Sequence, residues 1–374
     1  MKSSAQLLCL FTSAALATPV DLSRSHLHRL FVRQDVQSEV NASLPNVTIF
    51  ATGGTIASQG DSNTQTTGYD IGLGVQQLID AVPEVLNVSN VAGYQVSNVG
   101  SPNINETISL ELAKMINEEL AKDTVSGCVV THGTDTLEET AFFLESTVNS
   151  SKPVIITGAM RPATALSADG PLNLFQSVTL AASPAGRNRG AMIVLNDRIA
   201  SAFYATKNNA NTLDTFYADE QGQLGVLINQ VPYFYYEPTK PVGLTHFEVS
   251  NLTDLAQVPI LYSHQDMAPY LFNSTAEHGA DGIVYAGVGA GGGMPEEAAR
   301  NAELVFNATG IPIVGSTTST SGFVPSDSDF VIEAGFYKPP KARILLQLAL
   351  SVGYDYEQIK QTFAKSYPMP QSVQ

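Results

Sequence analysis

Asn46-Val47-Thr48-Ile49-Phe50-Ala51-Thr52-Gly53-Gly54-Thr55-Ile56-Ala57 is the stretch from which the chain is best read. Val47 to Phe50 are β-branched and aromatic, the composition of a strand. The run breaks at Gly53-Gly54, where the backbone can take conformations closed to other residues. Thr55 follows directly. A hydroxyl at the carboxyl end of a strand stands where open α/β sheets place their ligands. By itself the glycine pair reads first as a tight strand–loop connection. The case for a site comes from what stands elsewhere in the chain.

Upstream, Lys2 precedes Leu7-Leu8-Cys9-Leu10-Phe11 and Ala15-Leu16-Ala17. This is the pattern of a secretory signal peptide over residues 1–17, with an apolar run too short to cross a membrane. Residues 18–41 read as a tail or pro-segment. Asn41, Asn46, Asn87, Asn105, Asn149, Asn251, Asn273 and Asn307 each open an N-x-Ser/Thr triplet, which fits a secreted glycoprotein. The expected location is extracellular, in a periplasmic space or at the cell wall. Of Cys9 and Cys128, the first leaves with the signal peptide, so no internal disulfide is available and Cys128 reads as a buried thiol. The formal net charge is -16. Such an acidic chain repels phosphate backbones, which argues against nucleic acid as a partner. No later run is long enough for a membrane span.

Downstream, strand and helix signals alternate. A polar loop, 58–69, carries Tyr69 as its sole aromatic; it reads as a mobile connection or a lid. Residues 75–82 look helical. A short strand at 96–99 ends in Gly100-Ser101-Pro102. Ile108, Leu112, Met115, Ile116 and Leu120 recur at helical spacing. A strand at 127–131 runs into His132-Gly133-Thr134-Asp135-Thr136, and a helix follows with Glu138 and Glu139 in its first turn, where the dipole favours them. A strand at 153–157, a helix at 171–182 and a strand at 190–195 complete a β-α-β-α-β order that argues a parallel sheet covered on both faces. Lys207 lies in a polar segment, 201–222. The expected fold is therefore α/β with two domains. The larger spans 42–234, a Pro-rich linker covers 235–257, and a smaller α/β domain covers 258–374. In the latter Gly287, Gly289 and Gly292 fit G-x-G-x-x-G. Without an acidic residue at the end of a following strand, the run reads as a turn near a subunit or substrate contact. No cluster with metal-ligand spacing stands out.

Two threonines, Thr55 and Thr134, each follow a strand, with Asp135 beside the second and Lys207 in a later loop. Ala51-Thr52-Gly53-Gly54-Thr55-Ile56-Ala57 and Thr131-His132-Gly133-Thr134-Asp135-Thr136-Leu137-Glu138-Glu139-Thr140 resemble the two signature motifs of bacterial-type L-asparaginases. Gly158-Ala159-Met160-Arg161-Pro162, Ser167-Ala168-Asp169-Gly170-Pro171 and Lys341 to Leu350 match as well, so the resemblance extends over residues 44–374. Together with the leader it points to the exported type II branch, in a fungus or yeast. It implies hydrolysis of L-asparagine to L-aspartate and ammonia through a threonine nucleophile and an acyl-enzyme, without metal or cofactor. Carried over by motif, Thr55 is the nucleophile and Tyr69 its activating partner. Thr134, Asp135 and Lys207 form a second polar triad, with Lys207 orienting Thr134 and relaying protons. Ser101 and Asp135 hold the α-carboxylate and α-amino ends of the substrate, and the backbone at Thr134 and Ala159 contacts the amide. Which threonine attacks first stays open. The resemblance also implies a homotetramer in which a neighbouring subunit completes the site.

The chain departs from the family pattern in three places. Pro102 stands where a Gln usually follows the substrate-binding Ser. Ala290 and Gly292 replace an expected Asn. The segment that supplies the neighbour's carboxylate looks shortened, with Asp327 as a candidate replacement. A glutaminase-asparaginase of broad amide specificity is therefore an alternative, since one methylene is worth only about 1–3 kcal/mol in a pocket. A catalytically inactive amino-acid-binding protein is a third reading, opposed by retention of Thr55, Thr134, Asp135 and Lys207.

Overall fold

The computed structural model describes residues 36–291, 293–325 and 329–366. The proposed signal peptide and Asp327 lie outside them. Asn46–Gly53 forms a strand, and every residue after Asn46 in it is buried. Its side chains alternate between faces, as a strand requires. Phe50 joins the core on one side of the sheet, with Cys128, Val130 and Ile156. Val47, Ile49 and Ala51 join that on the other, with Val129 and Ile155. A strand buried on both faces has no polar side to show, which explains its continuous apolar run.

Asn46–Gly53 lies between Asn90–Val99 and Val125–Thr131, followed outward by Val154–Thr157 and Ala191–Leu195. All four of these pairings are parallel. The chain leaves Asn46–Gly53 toward one neighbour, Asn90–Val99, then crosses back to Val125–Thr131 and continues away on that side. The strand order therefore reverses between Gly53 and Thr131. Connections diverge there at the carboxyl ends of the strands, and a crevice opens.

The sheet is mixed rather than purely parallel. Arg198–Ser201, Gly225–Ile228 and Val231–Phe234 extend it in antiparallel fashion on one side, and with Val36–Gln37 at the other edge the sheet has nine strands among the described residues. Two of the connections are two-residue turns, Asn196-Asp197 and Asn229-Gln230, with all four residues at positive φ. Paired positive φ is the geometry of the favoured hairpin turns, and Asn-Asp is a turn signal. The other edge is capped by Val36–Gln37, within the stretch read as a tail, which pairs with Ala92 and Gly93.

Ile260–Tyr262, Ile283–Gly287, Ile313–Thr317 and Val331–Glu333 form a second, wholly parallel sheet in chain order. Ile283, Tyr285 and Ile313 face a separate core with Ala298, Ala302 and Val305 of helix Glu296–Thr309. Val284, Val314 and Ile332 face the opposite way, joining the cluster of the large sheet through helix Pro339–Ser351. The segment read as a linker packs too: Phe247, Val249 and Leu255 are buried in that cluster, and Phe247 N donates to Ser146 O at 2.8 Å. No helix among the described residues is long and apolar enough to cross a membrane.

Candidate active site

The Gly53 and Thr131 strand ends carry the two threonine loops. After Gly53, Gly54 takes φ 82° and its N donates to Val99 O at 3.1 Å. A Cβ there would lie 2.2 Å from both Cα and N of Gly133. In turn a Cβ on Gly133 would lie 2.9 Å from the Ser101 Cβ. Glycine is required at both positions because three loops meet here, those carrying Thr55, Thr134 and Ser101. Thr55 then opens a short 3-10 turn, Thr55–Ala57.

The Thr55 Oγ1 lies 2.9 Å from the Tyr69 hydroxyl. Tyr69 is held on its loop by Gln65, whose Oε1 accepts from Asp61 N and whose Nε2 donates to Thr67 O and Gly68 O. Both threonine loops are anchored at their roots: Ser58 Oγ donates to Gly54 O, and Thr52 Oγ1 to Thr131 O, each at 2.9 Å.

Thr134 is buried, and its Oγ1 accepts from Lys207 Nζ at 3.0 Å. The same ammonium lies 2.7 Å from Asp135 Oδ1. The Lys207 side chain is only 12% exposed, whereas that of Asp135 is 69% exposed. A pair open to water on one side contributes little stability, so its value here is orientation. Lys207 sits on Thr206–Lys207, paired with Phe216–Tyr217. That ribbon is tied to the large sheet by a two-pronged ion pair, Arg198 Nε and Nη2 to Asp214 at 2.6 and 2.9 Å. Lys207 N also donates to Glu138 Oε2 at 3.2 Å.

Ser101 is 4% exposed. Its carbonyl accepts from Thr136 Oγ1 at 2.8 Å and its Oγ from Thr136 N at 3.3 Å, which locks it to the Thr134 loop. Ala159 is fully buried, and the Thr134 methyl lies close to its neighbour Gly158. The Asp169 carboxylate holds this turn by accepting from Met160 N and Arg161 N, both at 2.9 Å, while Asn173 donates to Gly158 O. His132 has a structural place. It is buried, Nδ1 lies 2.8 Å from Gly133 O, and Nε2 lies 2.8 Å from Thr140 Oγ1. Burial lowers its pKa to about 4, so the imidazole is neutral.

Two hydroxyls in crevice loops, one partnered by a phenol and one by an ammonium, form a site suited to attack on a carbonyl carbon. Among the described residues no group of side chains could hold a metal ion. Residues 46–240 match the family model of the asparaginase N-terminal domain, and residues 257–363 that of the glutaminase/asparaginase C-terminal domain.

The chain belongs to the asparaginase family.

The L-asparaginase 2-3 of Saccharomyces cerevisiae is 52% identical over 338 residues, covering 89% of this chain and 93% of that one. The L-asparaginase 2 of Bacillus subtilis is 48% identical, covering 86% of each. The crystal structure of a probable cytoplasmic L-asparaginase from Campylobacter jejuni superposes with a TM-score of 0.82 at 39% identity, covering 86% of this chain and 99% of that chain. With these relatives, the fold and site describe an amidohydrolase.

Among the residues named from sequence, the structure pairs Thr55 with Tyr69 and joins Thr134, Asp135 and Lys207 directly. It sets Ser101 and Ala159 on the loops around them. In the sequence Glu138 stands out only as a dipole-favoured residue, and Thr136 and Asp169 carry no individual signal. All three lie in the asparaginase-like motifs; Glu138 and Thr136 act through backbone atoms 69 and 35 residues away, and Asp169 through the backbone of the turn just before it. The glycine run of the second domain adopts turns at Gly289 and Gly291, both at positive φ; Gly292 lies outside the described residues.

Proposed function

We propose that this member of the asparaginase family hydrolyses L-asparagine to L-aspartate and ammonia by a double displacement. The observation that carries the reading is the pair of partnered threonine hydroxyls at the strand-order reversal. Thr55 Oγ1 attacks the side-chain amide carbon, and its proton passes toward the Tyr69 oxygen. Backbone N–H groups near Thr134 and Ala159 hold the developing oxyanion. Collapse breaks the C–N bond, the leaving nitrogen takes up a proton, and ammonia departs from an ester on Thr55. A water oriented by Thr134, with Lys207 and Asp135 as its proton relay, then attacks that ester, releasing aspartate and restoring the hydroxyl. Ser101 binds the α-carboxylate and Asp135 the α-amino group. No step needs a metal or cofactor.

The leader-like residues 1–17 and the sequons support a secreted, glycosylated enzyme. Resemblance to the family supports a homotetramer in which a neighbouring subunit completes the site. Residual activity on glutamine is expected, because a pocket resolves one methylene by only about 1–3 kcal/mol.

The test is ammonia release from purified protein with asparagine and glutamine in parallel. Turnover of asparagine, abolished by Thr55→Ala, supports the reading. Folded protein that binds asparagine without releasing ammonia overturns it.

A further inference from the structure

Lys341 is a buried cation for which the reaction above has no use. It is the third residue of helix Pro339–Ser351 and only 2% exposed. Its Nζ donates to three carbonyls: Ala202 at 3.2 Å, Phe203 at 2.8 Å and Ala205 at 2.7 Å. An ammonium has three N–H donors, so the three carbonyls use its whole capacity. Burying such a charge is costly unless its protons are taken up. Here they are taken up by one short run of backbone, and that run leads straight into Lys207.

The same run is gripped from its other end. Lys207 N donates to Glu138 Oε2, and the Glu138 charge attracts Lys341. Glu138 belongs to the helix that opens directly after Thr134 and Asp135, whereas Lys341 comes from the helix that packs the second sheet. Residues 202–207 are thus held between a carboxylate of the first α/β unit and a cation of the second.

We infer that Lys341 is a positioning residue of this site, which grips the 202–205 carbonyls so that Lys207 meets Thr134 and Asp135. The inference rests on the proposed role of Lys207. It gives the second unit a task in the chemistry of its own chain, apart from any contact between subunits. The electrostatic surroundings make the grip sensitive to alkali. Burial lowers the Lys341 pKa to about 8, Glu138 opposes that and Lys338 adds to it. The aromatic neighbours Tyr204 and Tyr337 are pushed upward by burial and stay neutral. Above about pH 8 the amine loses its charge and the carbonyls lose a charge-assisted donor.

The test compares Lys341→Met and Lys341→Arg with Leu348→Ala, a cavity in the same helix at a fully buried position about two turns further along. Turnover of asparagine is measured at a temperature where each variant is folded. Lys341→Met is expected to lose roughly 10- to 100-fold in kcat with KM little changed, the size of a small misplacement of catalytic groups. Lys341→Arg should recover most of it. Leu348→Ala should melt earlier yet keep its kcat. An unchanged kcat in folded Lys341→Met overturns the inference, as does an equal loss in Leu348→Ala. Hydrogen exchange on the unmutated protein decides independently, even where Lys341→Met fails to fold. Corrected for intrinsic rates, the 202–209 peptide should lose protection as pH passes about 8, while strand Ala191–Leu195 does not. A flat profile across that range overturns the inference. If the unmutated protein leaves asparagine intact, the substrate reading falls, and the exchange profile still reports on Lys341.

Discussion

The two threonines stand at equivalent places and are built differently. Thr55 follows one strand end and is met by a phenol on an irregular loop held by hydrogen bonds to its own backbone. Thr134 follows the neighbouring strand end and is met by an ammonium on a short ribbon. That ribbon is tied by an ion pair to the large sheet and by Glu138 to the helix after Thr134. The first arrangement is uncharged, and its loop is braced from within and by the 163–166 turn, where Thr164 Oγ1 accepts from Gly60 N at 2.8 Å and Leu166 N donates to Asn63 O at 2.7 Å. The second is charged and supported from distant parts of the chain. An uncharged hydroxyl pair needs only neutral hydrogen bonds around it, and these the loop finds within itself and at the neighbouring turn. A charge that must point in one direction needs a rigid frame, because a misplaced ammonium is as costly as a missing one.

Removing each hydroxyl in turn is the most severe way to break that comparison. Thr55→Ala and Thr134→Ala should each lower kcat by at least about 10³-fold, since members of one catalytic unit act non-additively. Their difference should appear in trapping. A slowly deacylating substrate should leave its acyl group on a peptide containing Thr55, as read by mass spectrometry. Label on the Thr134 peptide would reverse the two roles.

Next in size is the ammonium. Lys207→Met should cost about 10²–10⁴-fold in kcat, the range for loss of a positioned proton-transfer group. The deacylation step should suffer most, so acyl-enzyme should accumulate. A variant slowed only in the burst phase would place Lys207 with the first threonine instead. Tyr69→Phe should have a smaller effect, about 10- to 100-fold, because Thr55 keeps its place on the 3-10 turn when its hydroxyl partner is lost. Loss greater than that of Lys207→Met would make the phenol the dominant base of the site.

The smallest effect on turnover is expected from a buried carboxyl outside the site. Burial raises Glu145 to about 7, with Ala191 N donating to it and Lys240 opposing the rise. The folded state therefore holds its proton more tightly than the unfolded one. This stabilisation is complete below about pH 4.5 and is lost as pH rises through about 7. His132, beside the Thr134 loop, has the opposite sign. Its folded value of about 4 lies below the usual 6.5, so its stabilisation is present above 6.5 and is lost as pH falls through 4. Each amounts to about 3 kcal/mol, and over the shared window the two contributions largely cancel. Glu145→Gln should leave kcat near that of the parent. It should raise the thermal midpoint at pH 8 and reveal a steep loss of stability toward pH 4. Parallel midpoint-against-pH curves for parent and variant would mean that these groups do not titrate as their burial implies.

Much of the site was readable from particular residues. Thr55, Thr134 and Asp135 each follow a strand whose apolar run and glycine break are local signals. Tyr69 and Lys207 were distinguished only by resemblance, because a lone tyrosine or lysine in a polar loop carries no pattern of its own. The antiparallel strands at 198–201, 225–228 and 231–234 are not legible in the sequence. Their marks are two-residue turns at Asn196-Asp197 and Asn229-Gln230, and the flanking segments are too short for periodicity to register. The segment 235–257 read as a linker because of its prolines, yet Phe247 and Val249 are core residues. An isolated aromatic in a turn-rich stretch does not reveal what it packs against.

The sequence by itself determined the alternation of strands and helices, the two-unit division, the acidic character and the threonine loops, since each is encoded in neighbouring residues through composition, spacing or turn chemistry. Only the tertiary structure decided that Gly54 and Gly133 must be glycines, because a Cβ would meet another loop at 2.2 Å from Gly54 and at 2.9 Å from Gly133. It alone decided that Thr136 holds Ser101 and that Glu138 and Lys341 grip the Lys207 segment. These contacts join a side chain to backbone atoms as much as 139 residues away. A carbonyl looks the same at every position in a sequence, so nothing in the chain announces which one a buried lysine will find.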